Sequence, residues 1–217
     1  MSRKQIPDYL EARTAATPGE DQAVPRIIYQ TFETRDIADR MREAAMTWIE
    51  MNPDYEYRFA TDADRRQLIL ENFDPAVVQA YDKLKNGAFR ADLWRYCQLY
   101  LTGGVYVDVD STCVTPLSKV LEPKDQFVAA IAKNVPHGIS NGFICSAPRH
   151  GFLDNTIKNA VSQINASRQE IDGYRVVGPW GLHQFISGAP QETPISGWGK
   201  YFRAIYFSSH GAQCWHI

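Results

Sequence analysis

Nowhere in the 217 residues does an apolar run approach the roughly 20 positions that a membrane-spanning helix needs. The first 24 residues carry Asp8, Glu11, Glu20 and Asp21 and lack the apolar core of a secretion signal. Cysteine is scarce and poorly spaced for metal or redox chemistry. Cys97, Cys113, Cys145 and Cys214 form neither a C-x-x-C pair nor a zinc-ribbon pattern, so buried free thiols in a reducing compartment are expected. An excess of one charge is lacking too. A net charge of −2 and a pI near 6.2 leave no electrostatic footprint for nucleic acid, although a local basic cleft for a diphosphate stays open. There is no internal repeat and no low-complexity tract. These absences predict a cytoplasmic protein, at most peripheral to a membrane, with no nucleic-acid partner and no transmembrane segment.

What is present is an ordinary globular composition, 44% hydrophobic and 22% charged, which suits one sizeable domain with a buried core. Residues 1–24 hold no sustained period and a turn at Thr17-Pro18-Gly19, so a loosely held polar arm is expected ahead of a domain spanning residues 25–217. Residues 26–32 are β-branched and aromatic, the first strand. Ile37, Met41, Ala45 and Trp48 mark a helix that closes at Asn52-Pro53, and residues 55–60 make a second strand. Thr61 and Asp64 have the spacing of a capping box, and Pro75 suits the first turn of a further helix through Lys83.

The chain is organised around residues 86–114. Phe89, Leu93, Cys97 and Tyr100 recur at helical spacing, so an amphipathic helix is expected, stopped by Gly103-Gly104. Val105, Val107 and Val109 then alternate as a strand, which puts Tyr106, Asp108 and Asp110 on its opposite face. Two carboxylates at the end of an apolar strand are costly to desolvate unless a cation or hydrogen bonds compensate, and a hard divalent metal prefers such oxygen ligands. The plain alternative is a solvated strand end that carries two acids. Asp92 and Arg95, three residues apart on the helix, add an acid and a guanidinium near the same turn.

Further along, residues 127–131 and 142–146 read as strands, residues 133–140 as a loop and residues 151–167 as a helix with Phe152, Thr156, Ala160 and Ile164 on one stripe. Gly178-Pro179-Trp180-Gly181 turns into a short helix, and residues 201–207 alternate as a last strand. Strands alternating with helices predict an α/β fold with a largely parallel sheet, whose ligands gather at the carboxyl ends of the strands. Tyr29-Gln30-Thr31 and Asp108-Val109-Asp110 both fall near such ends. His210 and Trp215 follow the last strand, where a tail either frays or folds back over the sheet.

Other chemistries fit less well. Asp108-Val109-Asp110-Ser111-Thr112 matches the D-x-D-x-T nucleophile motif of haloacid-dehalogenase-type phosphatases, but no acidic pair follows for magnesium. An EF-hand loop that starts at Asp108 fails, because Cys113 and Lys119 stand where its Gly and Glu belong. Ser140 and Ser146 lack a nucleophile elbow.

The run Ala91-Asp92-Leu93-Trp94-Arg95-Tyr96, then Leu99-Tyr100, then Gly103-Gly104-Val105-Tyr106-Val107-Asp108-Val109-Asp110 resembles the DXD sugar-binding glycosyltransferases. That group takes in yeast mannosyltransferases, bacterial capsule and lipopolysaccharide transferases and, more distantly, the large clostridial glucosylating toxins. Asn141-Gly142-Phe143 and Gly178-Pro179 resemble further landmarks of the group. The resemblance implies a GT-A fold, a single nucleotide-binding α/β domain with a mixed central sheet flanked by helices. It implies Mn2+ or Mg2+, a UDP- or GDP-sugar donor and a glycan or lipid-linked acceptor, with transfer that retains anomeric configuration. Asp92, Arg95, Asp108 and Asp110 would be catalytic. Tyr29, Gln30, Thr31, Tyr106, Asn141 and Trp215 would join Asp92, Arg95 and Asp108 at the donor. Asp108, Asp110 and His210 would hold the metal. A non-catalytic sugar-nucleotide-binding domain is the alternative of a different class.

Overall fold

A computed structural model describes residues 3–14, 22–132, 139–187 and 202–207. Two short strands, β1 (Arg3–Gln5) and β2 (Tyr9–Leu10), precede β3 (Ile27–Thr31), β4 (Asp36–Ala38) and α1 (Asp39–Met51). β5 (Glu56–Ala60), α2 (Asp62–Asn72), α3 (Pro75–Lys83), α4 (Gly87–Thr102) and β6 (Gly104–Val107) follow. A 3-10 turn at Leu117–Lys119 leads to β7 (Phe127–Ala132), β8 (Ile139–Ser146), α5 (Gly151–Ala166), α6 (Gly173–Val176), α7 (Pro179–Ser187) and β9 (Phe202–Phe207). Among the described residues, seven strands form one sheet in the order β2-β5-β3-β6-β8-β7-β9. The sheet is mixed: β3 runs parallel to both β5 and β6, and β7 to β9, whereas β8 lies antiparallel between β6 and β7.

Period two decides what each face packs against. Ile28, Val105 and Val107 point to one side and join Ile37, Trp48, Tyr57 and Phe143 in a core under α1. Tyr29 and Tyr106 point to the other, into a core with Leu93, Trp94, Ile157 and Ala160 from α4 and α5. Several local signals act as their chemistry requires. Thr61 and Asp64 exchange side-chain and backbone hydrogen bonds in a capping box that opens α2. Pro75 occupies the first turn of α3, and Asn86 Oδ1 accepts from the Ala88 amide to start α4. Asp62 accepts from Arg65 at 2.7 Å and pairs with Arg90 at 3.2 Å, which braces α2 against α4.

Four expectations need correction. The N-terminal stretch is not loose over its described part. β2 pairs with the outer edge of β5, β1 pairs with β4, and Ile6 and Val24 are buried. Two- and three-residue strands are too short to show a period in sequence. Ile37 belongs to β4 and not to the helix after it. α4 is not amphipathic: every residue from Ala91 to Leu99 is buried, because α2 and α5 flank it while the sheet lies beneath. Finally β6 stops at Val107, so Asp108 has left the strand and Val109 and Asp110 form a turn. The predicted loop over 133–140 lies outside the described residues except for Ile139 and Ser140, which belong to β8.

The junction of α4 and β6 is tightly built. Gly103 has φ 65° and Gly104 φ 109°, and the Gly103 amide donates to the Leu99 carbonyl at 2.8 Å. A Cβ on Gly103 would stand 2.7 Å from the Ser146 carbonyl oxygen and 2.8 Å from the Pro148 nitrogen. With ψ at −165° this backbone is open essentially to glycine alone. Gly103→Ala should therefore cost about 2 kcal/mol or more and lower the melting temperature by roughly 4–8 °C. A calorimetric scan that shows an unchanged transition would mean the junction relaxes freely.

Candidate active site

The reversal at Gly103-Gly104 sets α4 antiparallel to β6. Eight helical residues back from Gly103 reach Arg95, a rise of roughly 12 Å, and four extended residues from Gly104 reach Asp108, about 13 Å. The two therefore meet at the carboxyl edge of β6 and β3.

Arg95 is the centre of what gathers there. The residue is 5% exposed. Nη2 pairs with Asp92 Oδ1 at 2.9 Å, and Nη1 with Asp108 Oδ1 at 3.2 Å. Nη1 also donates to the Asn141 carbonyl at 2.6 Å, and the guanidinium carbon lies 4.1 Å from the centre of the Tyr106 ring. The two carboxylates and the ring share one buried cation, the compensation that burial demands. The Tyr106 hydroxyl donates to Asp108 Oδ1 at 2.8 Å. Asn141 Nδ2 donates to Asp92 Oδ1 at 2.9 Å and to the Tyr96 hydroxyl at 3.2 Å.

The Asp108 main chain is equally fixed. Its amide donates to the Gly142 carbonyl at 2.9 Å. Its carbonyl accepts from Gln30 Nε2 at 3.2 Å, the Ser111 amide at 3.0 Å and the Ser111 hydroxyl at 2.5 Å. The segment after the turn is tied to α1, with Trp48 Nε1 donating to the Ser111 carbonyl at 2.9 Å and the Cys113 amide donating to Thr47 Oγ1 at 2.8 Å.

What stays unused is the second oxygen of each acid. Asp108 Oδ2 and Asp92 Oδ2 accept no hydrogen bond among the described residues, and Asp110 is exposed and makes no ion pair among them. No group of three or more His, Cys, Asp and Glu converges among the described residues. Asp108 and Asp110 are nonetheless hard oxygen donors of the kind that holds Mg2+ or Mn2+ through one or two carboxylates, with substrate phosphates and water completing the shell. The donor set fits that ion.

The structure gathers Asp92, Arg95, Tyr106, Asp108, Asn141 and Gln30, with Asp110 on the adjoining turn. Tyr106 is 2% exposed, its ring under Arg95 and its hydroxyl on Asp108, so it positions the acid and presents no open face. Gln30 is fully buried. It acts through the Asp108 carbonyl, its own Oε1 fixed by the Tyr57 hydroxyl at 2.9 Å. Thr31 stands slightly apart, donating to the Ala60 carbonyl at 2.6 Å and accepting from Arg65 at 3.2 Å. Tyr29 does not join the group. Its hydroxyl lies 2.9 Å from Thr102 Oγ1, at the far end of α4, because its place on β3 aims it under the helix. His210 and Trp215 lie outside the described residues.

Residues missed in the sequence include Ser111, Trp48 and Tyr57, whose roles arise only from tertiary contact. Gly142 is another. A Cβ there would collide with Asp108 Oδ2, so the glycine makes room for the carboxylate. His150 is no site residue: it caps α5 through Nδ1, and burial lowers its pKa to about 4.

Comparison with known proteins bears on this geometry. Residues 38–128 match the family described as glycosyltransferase sugar-binding region containing DXD motif. The chain is 34% identical over 142 residues to mannosyl phosphorylinositol ceramide synthase SUR1 of Saccharomyces cerevisiae, which covers 65% of this chain and 36% of that one. It is 34% identical over 140 residues to inositol phosphoceramide mannosyltransferase 3 of Schizosaccharomyces pombe, covering 64% and 38%. The chain thus spans little more than a third of these curated relatives. Among solved structures, the PaToxG glycosyltransferase superposes with a TM-score of 0.62 at 17% identity, covering 77% of this chain and 70% of that one. The UDP-bound glycosyltransferase domain of the YGT toxin gives 0.59 at 9%, covering 83% and 79%. At these identities the likeness is one of fold, and the fold is that of GT-A glycosyltransferases.

Burial raises the Asp92 carboxyl to about 7, with the Arg95 charge opposing the rise and Asp108 adding to it. The ordinary value is about 3.9, so between roughly 4 and 7 the folded chain binds protons that the unfolded chain has released. The stability this group contributes is whole below about 4 and is lost as pH rises through about 7. Metal-free wild-type protein should lose melting temperature across that window more steeply than Asp92→Asn at constant ionic strength. Parallel profiles would show that Asp92 does not titrate there.

Proposed function

We propose that this chain, whose residues 38–128 match the DXD-containing glycosyltransferase sugar-binding region, moves a hexose from a nucleotide-diphosphate sugar to an acceptor hydroxyl in the presence of Mn2+ or Mg2+. One observation carries the reading: Arg95 is clamped between Asp92 and Asp108 at the carboxyl edge of the sheet, while the second oxygen of each acid accepts no hydrogen bond among the described residues and Asp110 is exposed on the adjoining turn. A structural ion pair would have no reason to leave those oxygens unpaired.

Asp108 and Asp110 would hold the ion, which supplies Lewis-acid stabilisation to the departing diphosphate. Arg95 and Asn141 lock the Asp92 carboxylate by its Oδ1, so that Oδ2 can accept a hydrogen bond from a donor-sugar hydroxyl and fix the ring. Arg95 and Tyr106 hold Asp108 by its Oδ1 in the same way, so that Oδ2 would be available to the ion. With these groups set before the donor arrives, little reorganisation accompanies charge development. In the transfer itself the anomeric carbon–oxygen bond to the diphosphate breaks with its electron pair on oxygen. The acceptor oxygen bonds to that carbon on the same face, and the hydroxyl proton leaves on the diphosphate. The resemblance to retaining transferases carries the same-face stereochemistry, and the described site offers no side chain poised for a covalent intermediate.

The nucleotide is uridine or guanosine diphosphate. The names of the yeast relatives favour mannose as the sugar and a lipid-linked polyol headgroup as the acceptor, with a glycan as the broader class.

If Asp110 is a direct ligand, Asp110→Asn should lower metal-dependent transfer on the order of 10²- to 10⁴-fold, since several kcal/mol of stabilisation is removed and each 1.36 kcal/mol is tenfold. Asp108→Asn should weaken donor binding as well as turnover. Transfer from a panel of UDP- and GDP-sugars with manganese, against chelator, provides the measurement. Equal rates in both would sink the reading, as would a trapped phosphoryl group on Asp108. Nucleotide-sugar binding without turnover would mark a non-catalytic domain instead.

Gly142→Ala offers a finer test. The new methyl displaces Asp108 Oδ2 without backbone strain, so turnover should fall by about 10- to 100-fold while the melting temperature stays within a few degrees. An unaffected rate would mean that Asp108 Oδ2 takes no part.

A further inference from the structure

One polar group behind the site is left unused by the transfer described above. Tyr96 follows Arg95 on α4 and is wholly buried, in a core shared with Ile157, Val177 and Leu182. A phenol in such a place is costly unless its oxygen is matched. It is matched on both sides. The hydroxyl accepts from Asn141 Nδ2 at 3.2 Å and donates to the Val177 carbonyl at 2.7 Å, with the Gly178 carbonyl at 3.4 Å. Burial pushes the Tyr96 hydroxyl far above the ordinary tyrosine pKa, and the Asp92 charge adds to the rise. It therefore keeps its proton, and the direction of both bonds is fixed.

The corner between α6 and α7 that receives this hydroxyl has little freedom. The Val177 and Gly178 amides both donate to the Gly173 carbonyl at 2.9 Å. A Cβ on Gly178 would stand 2.7 Å from the Tyr174 carbonyl oxygen, and one on Gly181 would overlap that of Val176. Pro179 then opens α7. On the other side of the hydroxyl, Asn141 Nδ2 carries two hydrogens and both are spent, one on Asp92 Oδ1 at 2.9 Å and one on Tyr96. Turning the amide over would set its oxygen against a carboxylate, so the two bonds hold it in one sense. Without the Tyr96 hydroxyl one of these two restraints is gone, and Asp92 loses the fixed partner on its Oδ1.

We propose that Tyr96 is a positioning residue for sugar transfer. Without touching the donor, it passes the rigidity of the Gly178-Pro179 corner through Asn141 to the Asp92 carboxylate that holds the donor sugar. The assignment rests on the transfer reading above. No bond forms or breaks at Tyr96. Its influence falls on the sugar half of the donor, because the diphosphate is bound through the ion at Asp108 and Asp110.

Calorimetry and transfer kinetics on the full chain with manganese test the proposal, with GDP-mannose against GDP and UDP-glucose against UDP as paired probes. Tyr96→Phe should weaken the sugar nucleotide about five- to tenfold, leave the bare diphosphate within about twofold, and lower kcat/KM by about 10- to 100-fold, the range found when a group that orients a ligand is removed. In a chain already changed by Asn141→Ala the same substitution should cost no more than about twofold, since the path is cut there. Equal weakening of sugar nucleotide and diphosphate would mark a merely structural tyrosine and overturn the proposal, and so would losses that add fully in the double variant. A reading on the unaltered chain covers the case in which Tyr96→Phe does not fold. The Asn141 side-chain amide, assigned in NMR spectra by its loss in Asn141→Ala, should exchange with solvent at least about tenfold more slowly than exposed side-chain amides, and an unprotected amide would overturn the proposal. If the unaltered chain transfers sugar and Tyr96→Phe does so equally well, this role falls and the donor reading stands. If the unaltered chain uses no sugar nucleotide, both fall.

Discussion

One buried guanidinium sets the terms for the site. Arg95 has almost no contact with water, and an ion of that kind is tolerated only where its charge and its donors are matched. Two carboxylates, two carbonyls and a tyrosine ring do the matching, and they come from α4, from β6 and its end, and from β8. The pairing with each acid uses a single oxygen, and the opposite oxygen accepts no hydrogen bond among the described residues. Charge satisfaction and ligand presentation are thus one arrangement. Removing the cation would leave Asp92 and Asp108 buried or half-buried without compensation, and also without direction.

A second layer fixes the acids from behind. Asp108 leaves the strand but remains held through its amide by β8 and through its carbonyl by Gln30 and Ser111. Trp48 and Thr47 extend that hold to α1 on the other face of the sheet. The turn that carries Asp110 is therefore supported from both layers of helices, although Asp110 itself is open to solvent.

Much of this was legible in the residues because the signals are local. Thr61 with Asp64, Asn52 before a proline, Pro75, and the double glycine after Tyr100 each act within a few residues of themselves. The order helix, Gly-Gly, acidic strand end was enough to place Asp92, Arg95 and Asp108 together, since helix rise and strand rise are fixed lengths. What sequence could not supply was direction. Tyr29 and Gln30 are neighbours on one strand, yet one serves the site through Asp108 while the other reaches Thr102. β2 is two residues long, too brief for any period, and its pairing depends on the free edge of β5. Gly142 was marked only through the resemblance, and its use lies in an empty volume that only Asp108 defines.

The burial of α4 on every side also limits how such a domain can change its chemistry. A wall exposed to solvent can be resurfaced one side chain at a time, with little effect on folding. Here the helix that carries Asp92 and Arg95 is also the beam through the middle of the core, and Ala91 to Leu99 have no outward face to vary. New substrate preferences must therefore be written at its margins, in the turn after β6 and the segment that joins α5 to α7. The buried centre would stay constant while the rim is edited.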